Sequence, residues 1–279
     1  MSRDTAARPG DLYTVDELLA VCIARQVSDG ELLAHGLATP LVAAGYILAK
    51  RTHAPGAVFA SAIGQGIVQD WAPLGLASAE ELWLGKALAC ASFVTIAADL
   101  LHTYAPKEFF RPAQVDAAGN TNNLAIGRDH ARPRLRLPGS GGVPDVSVFS
   151  ERIYLYVPRH SRAIFVPRVD WVSGLGHDPA RRRGHGPRYL VSDLGQFDWV
   201  EGRMRLATLH PGVTIEQAQA RTGFALAVAP DLRETPPPTD EDLRLLREEI
   251  DPLGVRRLET LAGAARRAHL RDILSKEQP

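Results

Sequence analysis

The 279-residue sequence lacks the features that mark several classes of protein. Lys+Arg and Asp+Glu both number 32, so the formal net charge is zero. Neutrality argues against nucleic acid or an anionic membrane surface as the main partner, because both bind proteins through a basic excess. No apolar run approaches the ~20 residues that span a bilayer. The first 12 residues are polar and do not resemble a signal peptide. We therefore expect a cytoplasmic protein.

Cysteine is also scarce. The two cysteines, Cys22 and Cys90, stand in apolar, helix-like stretches without metal-ligand spacing, so we expect two buried, reduced thiols. His185 and His210 have no partners at metal-ligand spacing either, and we expect no metal site. His160 precedes a serine, but no Gly-x-Ser-x-Gly elbow accompanies the pair, which argues against a Ser/His hydrolase.

Capping boxes and apolar runs alternate along the chain and predict an α/β domain. A capping box, in which a Ser or Thr and a residue three positions later satisfy the first amides of a helix, predicts helices after residues 14, 78, 214 and 239. The second of these helices should run through Leu88, and Pro40 begins a further helix. Short apolar runs predict strands at 57–63, 152–157, 162–166 and 189–192, and a hairpin at 195–209.

Residues 253–279 differ from the rest and are assigned as an Arg-rich helical extension of the main domain, residues 1–252. Five apolar residues from Leu258 to Leu274 form a loose stripe among five arginines. The stripe is typical of a surface helix with solvated arginines, and a helix that docks on a partner is the alternative. Arg181–Arg183 also have two interpretations, a solvated loop or a contact with the phosphate groups of a ligand.

A glycine cluster, Gly139-Ser140-Gly141-Gly142, is the first candidate for ligand binding. Consecutive glycines allow the backbone to approach a ligand and to point N–H groups at an anion or a developing oxyanion. Val143-Pro144-Asp145 follows, so the cluster is not a P-loop, and no G-x-G-x-x-G spacing fits a Rossmann motif. A plain turn is the competing interpretation.

Amide side chains form the second candidate. Asp116 to Gly119 has the composition of a turn. Asn120 and Asn122 point the same way if the backbone is extended, so that they and Gln114 would line one surface. Capping of neighbouring backbone is the alternative role for these amides.

In combination these motifs resemble the β subunits of the family I CoA-transferases, the group that includes glutaconate CoA-transferase. The resemblance extends from about Tyr13 to Pro252. The segments that carry it are 24–30, 50–55, 114–122, 139–142, 169–173, 191–195, 222–224 and 247–252. It implies a CoA-transferase-like open sheet with flanking helices and a site where this subunit meets a homologous α subunit, in an α2β2 heterotetramer. It also implies no cofactor beyond the CoA thioester substrate.

One position departs from the family pattern. In glutaconate CoA-transferase, a β-subunit glutamate in a Glu-Ser-Gly context attacks the thioester to form glutamyl-CoA. The resemblance aligns that glutamate with Ala62, in Ala60-Ser61-Ala62-Ile63-Gly64, and no acid lies between Lys50 and Asp70. An alanine methyl cannot attack a thioester, so we assign no catalytic residue to this chain.

The branch of steroid ring-cleaving CoA hydrolases also lacks that glutamate, and residues 160–162, 172–176, 189–198 and 209–214 are most similar to it. The implied reaction is hydrolytic opening of a cyclic β-keto acyl-CoA, with the working glutamate on the α subunit. The residues expected to bind substrate and CoA are Gln114, Asn120, Asn122, Gly139, Ser140, Gly141 and Gly142. A CoA-transferase whose nucleophile lies on the partner, or a non-catalytic scaffold subunit, remain alternatives.

Overall fold

A mixed ten-stranded sheet forms the centre of the computed structural model, which describes residues 12–36, 39–78, 81–179 and 181–277. Its strands are β1 (Leu32–Ala34), β2 (Val58–Ser61), β3 (Gly66–Val68), β4 (Ala87–Cys90), β5 (Lys107–Phe110), β10 (Ile153–Val157), β11 (Tyr189–Ser192), β12 (Gly195–Val200), β13 (Arg203–Leu209) and β14 (Ala227–Glu234). Two small hairpins pair β6 (Gln114–Val115) with β7 (Thr121–Asn122), and β8 (Ala125–Ile126) with β9 (Leu135–Arg136).

Helices flank this sheet. The α-helices are α1 (Val15–Ala24), α2 (Pro40–Arg51), α3 (Leu101–Tyr104), α4 (Val143–Phe149), α5 (Ile215–Arg221), α6 (Asp240–Arg244) and α7 (Gly263–Glu277). Shorter π-helical turns lie at Glu81–Gly85, Thr95–Leu100 and Leu245–Ile250, and a 3₁₀-helix at Val255–Glu259. The α/β class expected from the sequence is confirmed. No described helix combines the length and apolar character needed to cross a bilayer.

Five strands at the centre of the sheet run parallel. The order is β14-β13-β12-β11-β10-β5-β1-β2-β3-β4, and each neighbouring pair from β11 to β2 is parallel. Parallel strands bring their carboxyl ends to one edge of a sheet, and ligand sites of α/β proteins form in the crevice outside that edge. The segments after β1, β2 and β5 therefore meet there.

The sheet is buried on both faces, and strand β10 shows how. Ile153, Leu155 and Val157 belong to one hydrophobic cluster, while Tyr156 between them belongs to the other. Successive side chains of a strand point to opposite faces, so this alternation places one core on each side. Helices α1 and α2 cover the face of Tyr156, which we call the helix face. Val115 and Phe165 cover the other, which we call the motif face.

The C-terminal segment packs on the helix face. Arg256 is 3% exposed and forms ion pairs of 2.9 to 3.1 Å with Asp16, Glu17 and Asp251. For Arg256 the expectation of a solvated arginine is therefore wrong, because three carboxylates surround the guanidinium and offset its desolvation. Ile273 of α7 is fully buried in the same core. A boundary at residue 252 stays a prediction, but the described contacts of the segment are with the main core.

Most helix starts are confirmed. Thr14, Thr214 and Thr239 are the N-caps of α1, α5 and α6, each with its capping box. In the box at 78–81, Ala79 and Glu80 lie outside the described residues. The helix predicted to continue through Leu88 is wrong, because the π-helical turn ends at Gly85 and Leu88 lies in β4, paired with β3.

Two further expectations are corrected. Residues 162–166, expected as a strand, form a turn whose Phe165 makes a single bridge to Val115. A strand was not possible there because Ile164 and Phe165 turn back to bond Ser161. Cys22 is buried as expected, but Cys90 is exposed, because it lies on β4, the edge strand of the sheet as described.

Candidate functional site

The amides of Gln114 and Asn122 lie side by side in the β6–β7 hairpin. Asn122 Nδ2 donates to Gln114 Oε1 at 2.7 Å and to the Ala125 carbonyl at 2.8 Å, and its Oδ1 accepts the Leu124 N–H at 2.9 Å. Gln114 Oε1 also accepts the Asp170 N–H. Asn122 is fully buried and Gln114 almost so. The structure therefore brings these two predicted residues together, but uses their amides to hold the hairpin.

Asn120 completes a second internal network. Its Nδ2 donates to Asp116 Oδ2 at 3.1 Å, and its Oδ1 accepts the Gly176 N–H at 2.9 Å. Burial raises the pKa of Asp116 despite the hydrogen bonds from Asn120 and Ala118 that oppose the shift. The motif from Gln114 to Asn122 is thus a rigid turn on the motif face. Contact of its amides with a ligand stays a prediction.

The glycine cluster has the opposite character. Gly139 and Gly141 have φ of +111° and +53°, and a Cβ built on either would meet nothing within 4 Å. The Gly139 N–H donates to the Asn123 carbonyl at 3.0 Å, which ties the cluster to the amide motif, and Gly142 caps α4. The open space beside this backbone is what approach of a ligand requires. Binding of substrate or CoA by Gly139, Ser140, Gly141 and Gly142 stays a prediction.

A cavity of about 940 Å³ opens at the carboxyl ends of β1, β2 and β5. The segments after those strands supply His35 and Gly36, the Ser61–Gln65 turn, and Arg111. Ser61 Oγ accepts the Gly64 N–H at 2.9 Å and so fixes the turn that contains Ala62. Ser61, Ile63, Gly64 and Gln65 of this turn line the cavity, and the turn carries no acid.

Glu259 is the central polar group of the opposite wall. It is 4% exposed and accepts hydrogen bonds from the Leu41 N–H, the Tyr156 hydroxyl and Arg111 Nη1, each at 2.9 Å. Burial raises the pKa of Glu259, and the Arg111 charge opposes that shift. Three donors hold this carboxylate in place, so it shapes the cavity.

His35 and Cys90 also line the cavity. His35 Nε2 lies 3.0 Å from Thr39 Oγ1 and 3.2 Å from the Thr39 carbonyl. Burial lowers the pKa of His35 to about 4, so its imidazole is uncharged at neutral pH. Cys90 borders the same space from β4.

These cavity residues were not found from the sequence, because they come from five separate segments with no local motif. The signal available was positional. Residues that follow parallel strands in an α/β sheet converge, and the apolar runs before His35, Ser61 and Arg111 could have marked those strands.

The other candidates are satisfied by the fold. His160 bonds Ser192 Oγ and Thr222 Oγ1, both at 3.0 Å, and burial lowers its pKa to about 3. His210 lies 2.7 Å from the Ser192 carbonyl. Arg181 donates to the Leu175 and Gly176 carbonyls, so it is not a solvated side chain. Among the described ranges, no three His, Cys, Asp or Glu side chains are grouped so as to hold a metal ion.

Comparison with known proteins finds similar sequences and structures that cover most of this chain. The B-type subunit of glutaconate CoA-transferase from Acidaminococcus fermentans is 31% identical over 257 residues, which cover 86% of this chain and 93% of that protein. The cholesterol ring-cleaving hydrolase IpdB subunit of Mycobacterium tuberculosis is 31% identical over 253 residues, covering 88% and 98%. The crystal structure of the decarboxylase AibA/AibB superposes with a TM-score of 0.78 at 31% identity, covering 89% of this chain and 99% of the matched chain. No family model matches the sequence.

Proposed function

Because this chain belongs to the CoA-transferase family, among relatives of its B-type subunits, we propose that it is one subunit of a heteromeric enzyme that opens the ring of a cyclic β-keto acyl-CoA with water. The observation that carries the proposal is the absence of any acid from Arg51 to Gln69, the stretch where the resemblance places the transferase nucleophile. At the position of the transferase nucleophile this chain has no group able to form an acyl intermediate. The partner subunit must then bring the carboxylate.

The proposed reaction needs a base and an oxyanion site. The partner's carboxylate takes a proton from water as the water oxygen attacks the ring ketone. The bond between that carbon and the carbon next to the thioester breaks, and its electron pair passes to the thioester as an enolate. Backbone N–H groups of Gly141 and Gly142 would stabilise this enolate, since preorganised donors act best where charge develops, whereas the Gly139 N–H already donates to the Asn123 carbonyl. Protonation of the enolate carbon completes the addition of water.

Exposed apolar side chains support a partner. Six large ones come from residues 63–104, the part of the chain that includes the β3–β4 edge of the sheet, and each is 47% to 67% exposed. They are Ile63, Leu84, Leu88, Phe93, Val94 and Tyr104. Such concentrations on a soluble chain mark protein interfaces. We assign this surface to a homologous A-type subunit, with an α2β2 assembly, which would close the open side of the cavity.

The proposed reaction is of a class that would serve the degradation of steroid rings. The Mycobacterium tuberculosis relative is named for such a reaction, as a cholesterol ring-cleaving hydrolase subunit. We place the complex in the cytoplasm, in keeping with two cysteines that form no disulfide.

The test is to purify this chain with its A-type partner and to incubate the complex with acyl-CoAs in ¹⁸O-labelled water. Intact-mass analysis then follows both subunits and the CoA product. The proposal expects one labelled oxygen in a ring-opened product and no CoA adduct on this chain. Acyl exchange with a CoA adduct on the partner would instead make the complex a transferase.

A pair of glycine variants separates a working subunit from a scaffold. Gly141 and Gly212 both have positive φ and open surroundings, so alanine imposes similar backbone strain at each. We expect Gly141→Ala to lower turnover by ~10-fold or more without loss of assembly, because the added methyl group fills space beside the loop and the strained φ moves the N–H away from the oxyanion. Gly212→Ala should leave turnover unchanged. Equal rates in both variants would favour the scaffold.

A further inference from the structure

Glu108 is a buried acid that the proposed function does not use. It lies in β5 and is 8% exposed. Its neighbour Lys107 points to the helix face and pairs with Glu31 at 2.6 Å. The Glu108 backbone is bonded to β10, but within the described ranges no group donates a hydrogen bond to its carboxylate or forms an ion pair with it.

The Glu108 carboxylate lies beside Gly36, one of the residues that line the cavity. A Cβ built on Gly36 would have Glu108 Oε1 at 3.9 Å as its only described neighbour within 4 Å outside the adjoining residues. Phe109 belongs to the helix-face core, so Glu108 and Phe110 point to the motif face. Glu108 is thus on the side of the sheet that carries the amide and glycine motifs.

Sheet register relates Glu108 to the Ala62 turn. Ala34 of β1 is paired with Glu108 on one side and with Ala60 on the other. Adjacent strands lie about 4.8 Å apart, so Glu108 and Ala60 are separated by about 10 Å along one row of the sheet. The acid missing at position 62 and the acid present at 108 therefore lie at the same end of the parallel strands.

A largely buried carboxyl that has no partner in the described part of the chain is costly to keep, and proteins hold such groups chiefly where they perform chemistry. Burial alone raises the pKa of Glu108 to about 7. Two titratable groups lie near it. Tyr46 on α2 has its pKa raised by its own burial and by the charge of Glu108, and His35, beside Gly36, is neutral. At neutral pH a large fraction of Glu108 is therefore a neutral acid able to give a proton.

We propose that Glu108 is the proton donor that this chain contributes to the site, in place of an acid at position 62. The inference rests on the proposed function. As the C–C bond breaks and the thioester enolate forms, the O–H bond of the Glu108 carboxyl breaks and a C–H bond forms at the enolate carbon. The proton that the partner's base took from water then restores Glu108. One water is consumed, with its hydroxyl on the former ketone carbon and its hydrogen on the former enolate carbon.

The test uses the intact complex and a defined probe, 2-oxocyclohexane-1-carboxyl-CoA with a methyl group on ring carbon 1. That carbon has no exchangeable hydrogen, so in D₂O the deuterium it acquires on ring opening creates one stereocentre. The variant is Glu108→Gln, and Glu248→Gln is the matched control, because Glu248 is an exposed acid on the helix that follows α6.

We expect Glu108→Gln to lower kcat by ~100-fold or more, the usual contribution of a positioned acid, with KM little changed. The product of the wild-type complex should have a single configuration, and that of the variant should be a mixture, since solvent then protonates the enolate from either side. The wild-type rate should fall above about pH 7 as Glu108 loses its proton, and this fall should be absent from the variant. Glu108→Asp should recover part of the selectivity.

Two outcomes overturn the inference, and they are distinguishable. Ring opening by Glu108→Gln at the wild-type rate and with one configuration would remove Glu108 from the reaction and leave the proposed function intact. A wild-type complex that exchanges CoA between carboxylates, and opens neither this ring nor its unmethylated parent, would overturn the proposed function and the inference together.

Discussion

The amide motif and the cavity are neighbouring regions that differ in how their polar groups are used. Every amide atom of Asn122 and Asn120 has a protein partner, whereas the backbone at Gly141 faces open space and the carboxylate of Glu108 has no bonding partner among the described residues. The motif that is easiest to recognise in the sequence is therefore built as support, and the groups available to a ligand lie beside it. A recognisable motif can mark the location of a site without supplying its reactive atoms.

The largest effect should come from breaking the support. A Cβ on Gly176 would lie 2.3 Å from the Ala118 carbonyl oxygen and 2.4 Å from the Asn120 nitrogen. Both are backbone atoms of the motif turn and cannot move aside, so Gly176→Ala should destabilise the chain by about 3 kcal/mol or more. Gly142→Ala is the control, because its Cβ would meet only Val146, at 3.9 Å. Urea unfolding measures both, and similar midpoints would show that the turn is not rigid.

The next largest effect should come from Glu108, where the variant is expected to gain stability relative to the wild type as the pH rises. The pKa of this acid is raised from 4.5 to about 7 in the folded chain, so the folded state binds the proton more tightly than the unfolded state. Wild-type stability should therefore be lost as pH rises from about 4.5 through about 7. By pH 8 the loss should approach 3 kcal/mol, since each pKa unit is worth about 1.4 kcal/mol.

Glu108→Gln lacks this loss, so its stability relative to wild type should rise between pH 5 and pH 8. Any constant cost of burying the amide cancels when the two pH values are compared. Urea midpoints of both proteins at each pH make the measurement, with Glu248→Gln as the exposed control. Parallel curves for Glu108→Gln and wild type would show that the carboxyl is paired or hydrated.

The sequence predicts the local features of this molecule but not the contacts between distant segments. Capping boxes at Thr14, Thr214 and Thr239 were found because their hydrogen bonds join residues three positions apart. The cavity was not found, because Glu259 contacts Arg111 across 148 residues and Leu41 across 218. Sheet order, which decides those contacts, has no local signature. Arg256 was misjudged for the same reason, since Asp16 and Glu17 reach it only through the tertiary fold.

A smaller effect is expected at the cavity wall. Arg111→Ala removes the cation beside the buried Glu259 but leaves its bonds from Leu41 and Tyr156. Because Arg111 is partly exposed, we expect a loss of about 1 to 2 kcal/mol, below the cost of breaking a fully buried pair. Arg152→Ala, which removes a more exposed pair with Glu31, should cost under ~1 kcal/mol. Equal losses in the two variants would mean that Glu259 relaxes toward solvent.

Alkylation of the cysteines should have the smallest effect on stability. It also reports directly which thiol is accessible to solvent. Cys90 is exposed at the cavity, whereas burial raises the pKa of Cys22 to about 12, so little reactive thiolate forms there. Iodoacetamide should therefore add one group per folded chain, at Cys90, with almost no change in stability. Mass spectrometry of tryptic peptides locates the label.

Assembly with the A-type partner should slow labelling of Cys90, because the exposed apolar side chains around β4 would then be covered. An unchanged rate in the assembled complex would place the partner on another face and leave the cavity open to solvent.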